Sequence, residues 1–445
     1  MVAPAIVVSL IGRSALWFDI VRPRIVRVKL FAASIRLDLA LMTATTAKNT
    51  IINNQQLVEQ LRVFTTFEEL RRSQFYREYA TTIRRLLDPP RIYECLEARP
   101  RLRSFLRVVE WNIERGARLD GIIEALNSHP VLRFADLLLL NELDDGMVRS
   151  GNLNIALELS RALEAHAVFG VEYLELTKGV GEETKLEGEN TSALHGNAIL
   201  TRHRFSNPQI IRLPRCENNF ESKERRIGGR IGILLDLEIG DHALVIGNTH
   251  LDVVNTPHCR GRQMRALLQA VEKRLEATPG RPAIVGGDLN THTFARGTRF
   301  HAIKNTATIL NSNRANLRHR LSYPETKEPA IREFARFGYQ TEGFNDRRAT
   351  SRTIVSNLDD QTRLPGPMRW WVSRRIPPEG LLLEFRLDWL AARGLKPLGD
   401  GEVIDEQSGV LSAAPQSFHG LRQNGAALSD HDPIAFDVAK PHRAI

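Results

Sequence analysis

Several apolar runs in this sequence end in polar residues whose types and spacing suit acid–base or metal chemistry. In IVGGDLNTHT, residues 284–293, an apolar run ends at two glycines and is followed by Asp288 and Asn290. Because residues i and i+2 of a strand point to the same face, a carboxylate and an amide would lie side by side at a sheet edge. Gly, Asp and Asn are also ordinary turn residues, so this stretch alone leaves a plain turn as the alternative.

The same pattern recurs along the chain, and together the stretches supply carboxylates, amides and imidazoles at the edges of apolar runs. They are Trp111-Asn112, Asn141-Glu142, Asn248-Thr249-His250, Arg386-Leu387-Asp388-Trp389 and Ser429-Asp430-His431-Asp432. Each has an ordinary structural explanation when taken alone. Functional residues nevertheless gather on the loops at strand ends, so the repeated pattern indicates a site.

The elements that would position these residues alternate between strands and helices. Strands are predicted at 105–113, 135–143, 167–176, 195–202, 230–251 (as a hairpin), 282–288, 381–392 and 433–438. The hairpin turn is placed at Gly240-Asp241. Helices are predicted near 119–126 and 153–165, and at 261–277, where apolar residues form one stripe. This order indicates an α/β domain over residues 105–440.

Residues 1–104 are predicted to be a separate basic extension. They hold 17 Lys and Arg against 9 Asp and Glu, whereas the whole chain holds 61 against 52, so most of the excess charge lies here. The extension is expected to be mostly helical from about residue 55, with a stop at Asp88-Pro89-Pro90. Met1–Gly12 is too short to cross a bilayer, and basic residues follow rather than precede it, unlike a signal peptide. A cytoplasmic location is favoured, with an organellar or surface-binding segment as the alternative.

The three cysteines are widely spaced. Cys95, Cys216 and Cys259 match no zinc motif and make a poor disulfide framework. The expectation is therefore a reducing compartment, or thiols without consequence.

Taken in order, the segments EWN, NE, GNAIL, NTHL, GGDLN, RLDWL and SDHDP resemble the endonuclease/exonuclease/phosphatase superfamily, the DNase-I-like metal-dependent phosphoesterases. The resemblance covers roughly residues 105–438 and leaves residues 1–104 outside. It implies a four-layer α/β sandwich, in which two packed mixed β-sheets are flanked by helices and the site lies at one edge. It also implies a hydrolase acting on phosphoric ester bonds.

The resemblance implies a metal site as well. Glu142 matches the family's metal-binding acid, assisted by Asn112, and Asp430 is a second ligand or a support. The expected cofactor is Mg²⁺, with Mn²⁺ as the alternative, since a hard divalent cation takes oxygen ligands. Asn197, from GNAIL, is expected on the substrate side as a support of the site.

The remaining motif residues receive catalytic roles from the same resemblance. Asp288 would orient or deprotonate the attacking water, and Asn290 would hold the phosphate or the water. His431 would contact the phosphate while Asp388 fixes its tautomer. His250 would contact the phosphate from the other side and could protonate the leaving oxygen.

Fold and core motifs do not choose the substrate. The segment 346–376 is rich in arginine around Trp370 and Trp371, and Arg369 with these tryptophans would bind the substrate. Arginine for phosphate and aromatic rings for stacking favour nucleic acid, and hence a nuclease-type phosphodiesterase. The alternatives are a phospholipid (sphingomyelinase-like) or inositol-phosphate phosphoesterase, or an inactive binding module. No apolar segment is long enough to make the enzyme membrane-integral.

Overall fold

The computed structural model describes residues 52–354, 363–375 and 381–440. The expectations for residues 1–51, and for parts of the 346–376 segment, lie outside these ranges.

Two mixed β-sheets pack face to face. In spatial order the first contains β1 (Arg91–Tyr93), β4 (His166–Glu175), β5 (Leu194–Thr201), β3 (Leu137–Asp145), β2 (Phe105–Arg115), β19 (Ile434–Ala439) and β16 (Gln416–Ser417), with β7 (Arg226–Gly228) beside β4. The second contains β13 (Asp388–Arg393), β10 (Ala283–Asp288), β9 (His242–His250), β8 (Ile231–Ile239) and β6 (Phe205–Arg212). The pairs β2–β3 and β9–β10 are parallel, and the other pairs within the two sheets are antiparallel.

The described residues also form short two-stranded ribbons that are separate from the two large sheets. They are β11 (Ser351–Ile354) with β12 (Leu382–Phe385), β14 (Ile404–Asp405) with β15 (Val410–Leu411), and β17 (Arg422–Gln423) with β18 (Ala426–Ala427).

The main core lies between the sheets. Alternate residues of each strand face inward, so Leu106 and Val108 of β2 join Ile233 and Leu235 of β8 and Ile246 of β9 in one buried cluster. Each of these side chains has essentially no solvent exposure. Burial of these apolar faces is the main force that holds the two sheets together.

The described residues form ten α-helices. They are α1 (Asn54–Arg62), α2 (Phe67–Arg72), α3 (Gln74–Leu87), α4 (Leu119–Ser128), α5 (Ile155–Leu163), α6 (Pro257–Glu276), α7 (Arg299–Asn311), α8 (Arg314–Ser322), α9 (Pro329–Arg336) and α10 (Gly366–Ser373). The predicted apolar stripe of α6 is buried against the second sheet, and α3 and α5 contact the first. The four-layer α/β sandwich is thus confirmed. Within the described residues, every helix is too short or too polar to cross a membrane.

A domain boundary at residue 104 stays a prediction, but the chain packs continuously across this position. Residues from Asn54 onward form one compact unit with the sandwich. The reason is that β1 extends the first sheet by pairing with β4, where Ile92 lies opposite Val168. The expected helical stretch is also divided, because the side chains of Thr66 and Ser73 each cap the start of a new helix.

The strand predicted at 381–392 is two strands. β12 pairs with β11, whereas β13 pairs with β10 in the second sheet. Between them the buried Arg386 turns toward Asp346 and Ser417, which breaks the run. The Gly240 hairpin turn is confirmed, with a left-handed φ of 58° at that glycine.

The expectation that the three cysteines make a poor disulfide framework was wrong. A disulfide joins Cys216 to Cys259, whose Cα atoms lie 6.2 Å apart and whose sequence separation is 43. The end of β6 lies beside the start of β8, which lies beside the end of β9. The segments that follow β6 and β9 therefore begin at the same edge, which sequence spacing does not reveal.

Candidate active site

Strand ends from both sheets meet at one edge of the sandwich, and most of the predicted site residues lie there. They are Asn112 on β2, Glu142 on β3, His250 on β9, Asp288 on β10, Asp388 on β13 and His431 just before β19. In the second sheet the register places Asp288 between His250 and Asp388. The edge opens into a cleft of about 320 Å³, whose apolar wall includes Phe294 and Phe385.

The amide of Asn112 joins two carboxylates across the two sheets. Its Nδ2 donates to Glu142 Oε1 and to Asp288 Oδ2, each at 3.1 Å. Its Oδ1 accepts the backbone N–H of Glu114 at 3.1 Å. These hydrogen bonds let Asn112 position Glu142 and Asp288, and its assistance in metal binding stays a prediction.

Glu142 is aimed into the cleft by an irregular backbone. Its φ is 56°, and the β3–β5 register shifts between Leu140 and Leu143. A bulge of this kind redirects a side chain, and a left-handed non-glycine residue is strained. Asn197 holds the conformation, since its Oδ1 accepts the Glu142 backbone N–H at 3.3 Å.

Electrostatics keep Glu142 ionised. Burial would raise the pKa of this half-buried carboxyl, but Arg115, His195 and the Asn112 amide outweigh it and lower the pKa below its usual value. A carboxylate that remains charged and faces a cleft is the chemical requirement for a cation ligand.

The pKa of Asp288 is shifted in the opposite direction, above its usual value. Its Oδ1 accepts the N–H of Asn290 at 2.9 Å, and its own N–H donates to Asn141 Oδ1 at 2.8 Å. Burial raises the pKa of Asp288 to about 7; His431 opposes this rise and Asp388 adds to it. A carboxyl that titrates near neutrality is suited to general-base chemistry.

His431 and Asp388 form a buried pair. His431 Nδ1 lies 2.8 and 3.0 Å from the two carboxylate oxygens of Asp388. Burial would lower the pKa of His431, but Asp388 and Asp288 raise it well above its usual value. The ring is thus a cation whose Nε2 faces Asp288 Oδ2 at 3.8 Å. Trp111 fixes the backbone by donating from Nε1 to the His431 carbonyl at 2.9 Å.

His250 is neutral. Its Nε2 lies 3.4 Å from Asp288 Oδ2, and its buried Nδ1 has no hydrogen-bond partner among the described residues. Burial, followed by the nearby Arg230, lowers the pKa of His250 well below its usual value. This lowered pKa suits hydrogen bonding to a substrate oxygen or to Asp288, and the proton donation expected from the sequence stays a prediction.

The two predicted asparagines outside β2 differ in placement. Asn197 is fully buried, and its Nδ2 donates to Glu172 Oε1 at 3.0 Å, so it supports Glu142 and does not reach a substrate. Asn290 lines the cleft, with a left-handed φ of 51° and its Nδ2 bound to the carbonyl of Leu251 at 2.9 Å.

The predicted substrate-binding residues of α10 lie outside the cleft. Arg369, Trp370 and Trp371 are not among the described residues that line it. Arg374 stacks 4.0 Å from the ring centre of Trp370, which is 58% exposed, and Arg375 stacks 4.3 Å from that of Trp371. The helix packs on α7 through Val372 and Ala302, and α7 itself contributes to the cleft.

Sequence reasoning missed the polar residues that join the sheets beneath the site. Asn248 Nδ2 donates to the carbonyls of Leu140 and Ala198, each at 2.9 Å, and Asn141 Nδ2 donates to Asn248 Oδ1 at 3.3 Å. Ser429 Oγ donates to the carbonyl of Asn112 at 2.7 Å. An amide that directly follows an apolar run was the available signal for both asparagines.

The donor set fits a hard divalent cation. Glu142, Asp288 and the exposed Asp430 present carboxylates to one cleft, and oxygen donors of this type suit Mg²⁺. Asp288, Asp388 and His431 also bring donor atoms within 4.8 Å of one another. Because Asp388 and His431 already bind each other, that second group is better described as a hydrogen-bonded cluster than as a metal site.

The chain is similar to known proteins over most of its length. The model of the Endonuclease/Exonuclease/phosphatase family matches residues 109–431, nearly three quarters of the chain. No curated protein matches the sequence.

Similar solved structures include an endonuclease/exonuclease/phosphatase family protein from Leptotrichia buccalis, with 13% identity, coverage of 75% of this chain and 100% of that one, and a TM-score of 0.42. The human Nocturnin catalytic domain with bound sulfate anion has 16% identity, coverage of 79% and 96%, and a TM-score of 0.40. D. rerio TDP2 complexed with single strand DNA product has 16% identity, coverage of 76% and 100%, and a TM-score of 0.40.

The family match begins in β2 and ends at His431, so it contains every strand that contributes a residue to the cleft. Members of the family are phosphoesterase hydrolases. The chain belongs to the Endonuclease/Exonuclease/phosphatase family.

Proposed function

We propose that the protein is a divalent-metal-dependent phosphodiesterase that cleaves nucleic acid. The observation that carries the proposal is the convergence, in one cleft, of an ionised Glu142, an Asp288 that titrates near neutrality and a cationic His431. A carboxylate for a cation, a base for water and a cation for phosphate are the groups that phosphoester hydrolysis requires.

In this proposal each residue of the site has one role in phosphodiester hydrolysis. Asp288 accepts the proton of the attacking water at Oδ2. His431 donates from Nε2 to a phosphate oxygen, while Asp388 holds its Nδ1 proton and keeps the ring charged. His250 donates a hydrogen bond from the other side of Asp288, and Asn290 positions the water or the phosphate.

Glu142 would hold the cation, with Asp430 as the second carboxylate at the mouth of the cleft. When bound, Mg²⁺ neutralises charge on the phosphate oxygens and on the leaving group. Asn112 and Asn197 keep Glu142 in place, through its carboxylate and its backbone respectively.

The surface around the cleft supports a nucleic-acid substrate. Trp370 and Trp371 expose rings that arginines stack against, and such rings bind bases while arginines bind phosphates. The helix α10 that carries them packs on α7, and Asn305 and Ile309 of α7 line the cleft. A strand with its phosphate in the cleft would thus pass near α10.

A phospholipid is the second candidate, favoured by one observation. Phe300 at the start of α7 is 69% exposed, and Trp370 is 58% exposed. Exposed aromatic side chains beside arginines also suit a lipid headgroup interface.

The test is a substrate panel with the variant Glu142→Gln, which keeps the shape and removes the charge. The panel holds single- and double-stranded DNA, RNA, an abasic duplex, sphingomyelin vesicles and inositol polyphosphates, each with and without Mg²⁺. We expect Mg²⁺-dependent cleavage of a nucleic acid by the parent and by the control Glu402→Gln, an exposed acid far along the chain, and its loss in Glu142→Gln.

Cleavage by Glu142→Gln at the parent rate without added cation would remove Glu142 from metal binding. Hydrolysis of sphingomyelin but of no nucleic acid would favour the phospholipid candidate. A folded parent that hydrolyses nothing would favour the inactive binding module.

A further inference from the structure

The Cys216–Cys259 disulfide lies beside the wall of the cleft. Residues 251–256 connect β9, which ends at His250, to α6, and Cys259 is the third residue of that helix. Within this connection Val253 lines the cleft, and the N–H of Leu251 donates to the carbonyl of Asp288 at 2.9 Å. The disulfide ties the start of α6, and with it this wall, to the segment that follows β6.

Hydrogen bonds also connect the segment that follows β6 to residues 251–256 and the start of α6. Asn255 Nδ2 donates to the carbonyl of Cys216 at 2.5 Å. Gln263 Nε2 donates both to the carbonyl of Pro214 at 3.1 Å and to Asp252 Oδ2 at 2.8 Å. The 213–217 segment and the 251–256 wall therefore share one small set of bonds, and the disulfide is its covalent member.

A chain of charged and polar groups leads from the disulfide to the candidate metal ligand. Asp252 Oδ2 lies 3.9 Å from Cys259 Sγ, and Asp252 Oδ1 lies 3.4 Å from Arg230 Nε. Arg230 donates to Glu172 Oε2 at 2.8 Å, and Glu172 Oε1 accepts from Asn197. Asn197 in turn holds the Glu142 backbone. A continuous series of contacts thus connects Asp252 to the residue that holds the strained conformation of Glu142.

The two sulfurs differ in a way that suits exchange. Cys216 is half-buried on a surface segment, whereas Cys259 is 4% exposed. Cys259 lies in the first turn of the 20-residue α6, where backbone N–H groups and the helix dipole favour a thiolate, whereas its burial and the Asp252 carboxylate 3.9 Å away oppose one. An external thiolate would attack the more accessible Cys216, and Cys259 would be the leaving sulfur.

We propose that Cys216 and Cys259 form a reversible thiol–disulfide modification site, and that reduction lowers turnover by releasing the 251–256 wall. In reduction by a dithiol, the first thiolate breaks the Cys216–Cys259 bond and forms a mixed disulfide with Cys216. The second thiol of the reductant then displaces Cys216. The products are two cysteine thiols and one cyclic disulfide, so two electrons and two protons pass from the dithiol to the protein. The effect on turnover rests on the proposed function; the exchange itself does not.

The experiment equilibrates the full chain in buffers with different ratios of oxidised to reduced dithiothreitol. The measurements are alkylation with mass spectrometry to count thiols, hydrogen exchange of residues 251–256, and kcat/KM on bis-para-nitrophenyl phosphate with Mg²⁺. The variants are Cys216→Ser and Cys259→Ser, and the matched control is Cys95→Ser, which removes the half-buried cysteine outside the pair.

In the parent and in Cys95→Ser, we expect reduction to expose both thiols, to accelerate exchange at 251–256 and to lower kcat/KM about tenfold, since a small displacement of a catalytic group is costly. Cys216→Ser and Cys259→Ser should show the reduced behaviour in every buffer.

Identical exchange and kcat/KM in the oxidised and reduced parent would overturn the proposal, as would a pair that never oxidises. Stoichiometric Zn²⁺ binding by the reduced protein through Cys216, Cys259 and Asp252, with turnover that follows Zn²⁺ alone, would replace it by a metal site. If neither the oxidised nor the reduced protein hydrolyses the ester, that result counts against the proposed function. Thiol counting and hydrogen exchange still show whether the disulfide is exchanged and whether its reduction releases residues 251–256.

Discussion

Replacement of Asp388 by Asn tests whether His431 works as a cation. The carboxylate of Asp388 is fully buried and contacts His431 Nδ1 through both oxygens, at 2.8 and 3.0 Å. Asp388→Asn keeps the size of the side chain and one oxygen acceptor, but it removes the charge. Because burial lowers the pKa of His431 and Asp388 is the largest influence that raises it, loss of this charge should lower the pKa of His431, while Asp288 still opposes the fall.

The size of the effect follows from the role of the ring. A positioned proton-transfer or charged group contributes about 10²–10⁴-fold to rate, which corresponds to about 2.7–5.4 kcal/mol of barrier. We expect the larger losses above neutral pH and partial recovery as the pH falls, since acid restores the imidazolium. The pair also contributes stability: because the pKa of His431 is raised in the fold, that stability is complete below about pH 6.5 and is lost as the pH rises through the folded-state pKa.

The assay combines kcat as a function of pH with NMR titration of the imidazole, and thermal unfolding reports on the fold. His431→Gln is the matched control, because a residue without an ionisable ring should show a low rate with no recovery in acid. The reasoning fails if folded Asp388→Asn keeps the parent kcat above neutral pH, or if the pKa of His431 is unchanged in the variant.

Three other outcomes are expected. In the metal-free protein, the carboxyl of Asp288 should titrate near pH 7 by NMR, and Asp288→Asn should be more stable than the parent above that pH, because a raised pKa means that ionisation opposes folding; titration near pH 4 would contradict this. If the substrate is nucleic acid, Trp370→Ala/Trp371→Ala in a Glu142→Gln background should weaken DNA binding by about 1–3 kcal/mol per stacked base, measured by fluorescence anisotropy, whereas loss of vesicle binding alone would favour a lipid. A chain that starts at Pro100 lacks β1 and should unfold at a lower temperature, since the edge of β4 loses its partner; an unchanged unfolding temperature would restore a boundary near residue 104.

The sequence predicted the central strands well because they combine β-rich apolar runs with turn residues at their ends. The buried runs at 135–143 and 282–288 are β3 and β10, and the stripe on α6 is buried as expected. These features depend on local patterns. The strand predicted at 381–392 failed because Arg386 finds its partners at Asp346 and Ser417, and long-range contacts of this kind leave no local pattern.

The cysteines and the N-terminal helices show the same limit. Cys216 and Cys259 meet only because β6, β8 and β9 are neighbours in the second sheet, and spacing along the chain does not encode that order. The three residues of β1 are too few to give a periodic signal, yet their pairing with β4 joins residues 54–104 to the sandwich. In both cases sheet topology decided the outcome.

The geometry of the site is a property of the interface between the sheets. Asn112 of the first sheet binds Asp288 of the second, Asn141 binds the backbone of Asp288, and Asn248 of the second sheet binds the carbonyls of Leu140 and Ala198 in the first. Apolar packing between sheets is non-directional and tolerates small sliding, whereas buried amides must keep their partners. These amides therefore fix the relative position of Glu142 and Asp288, which come from different sheets. The sequence identifies these carboxylates and amides because both kinds of residue end apolar runs, but it does not show which amide binds which group across the two sheets.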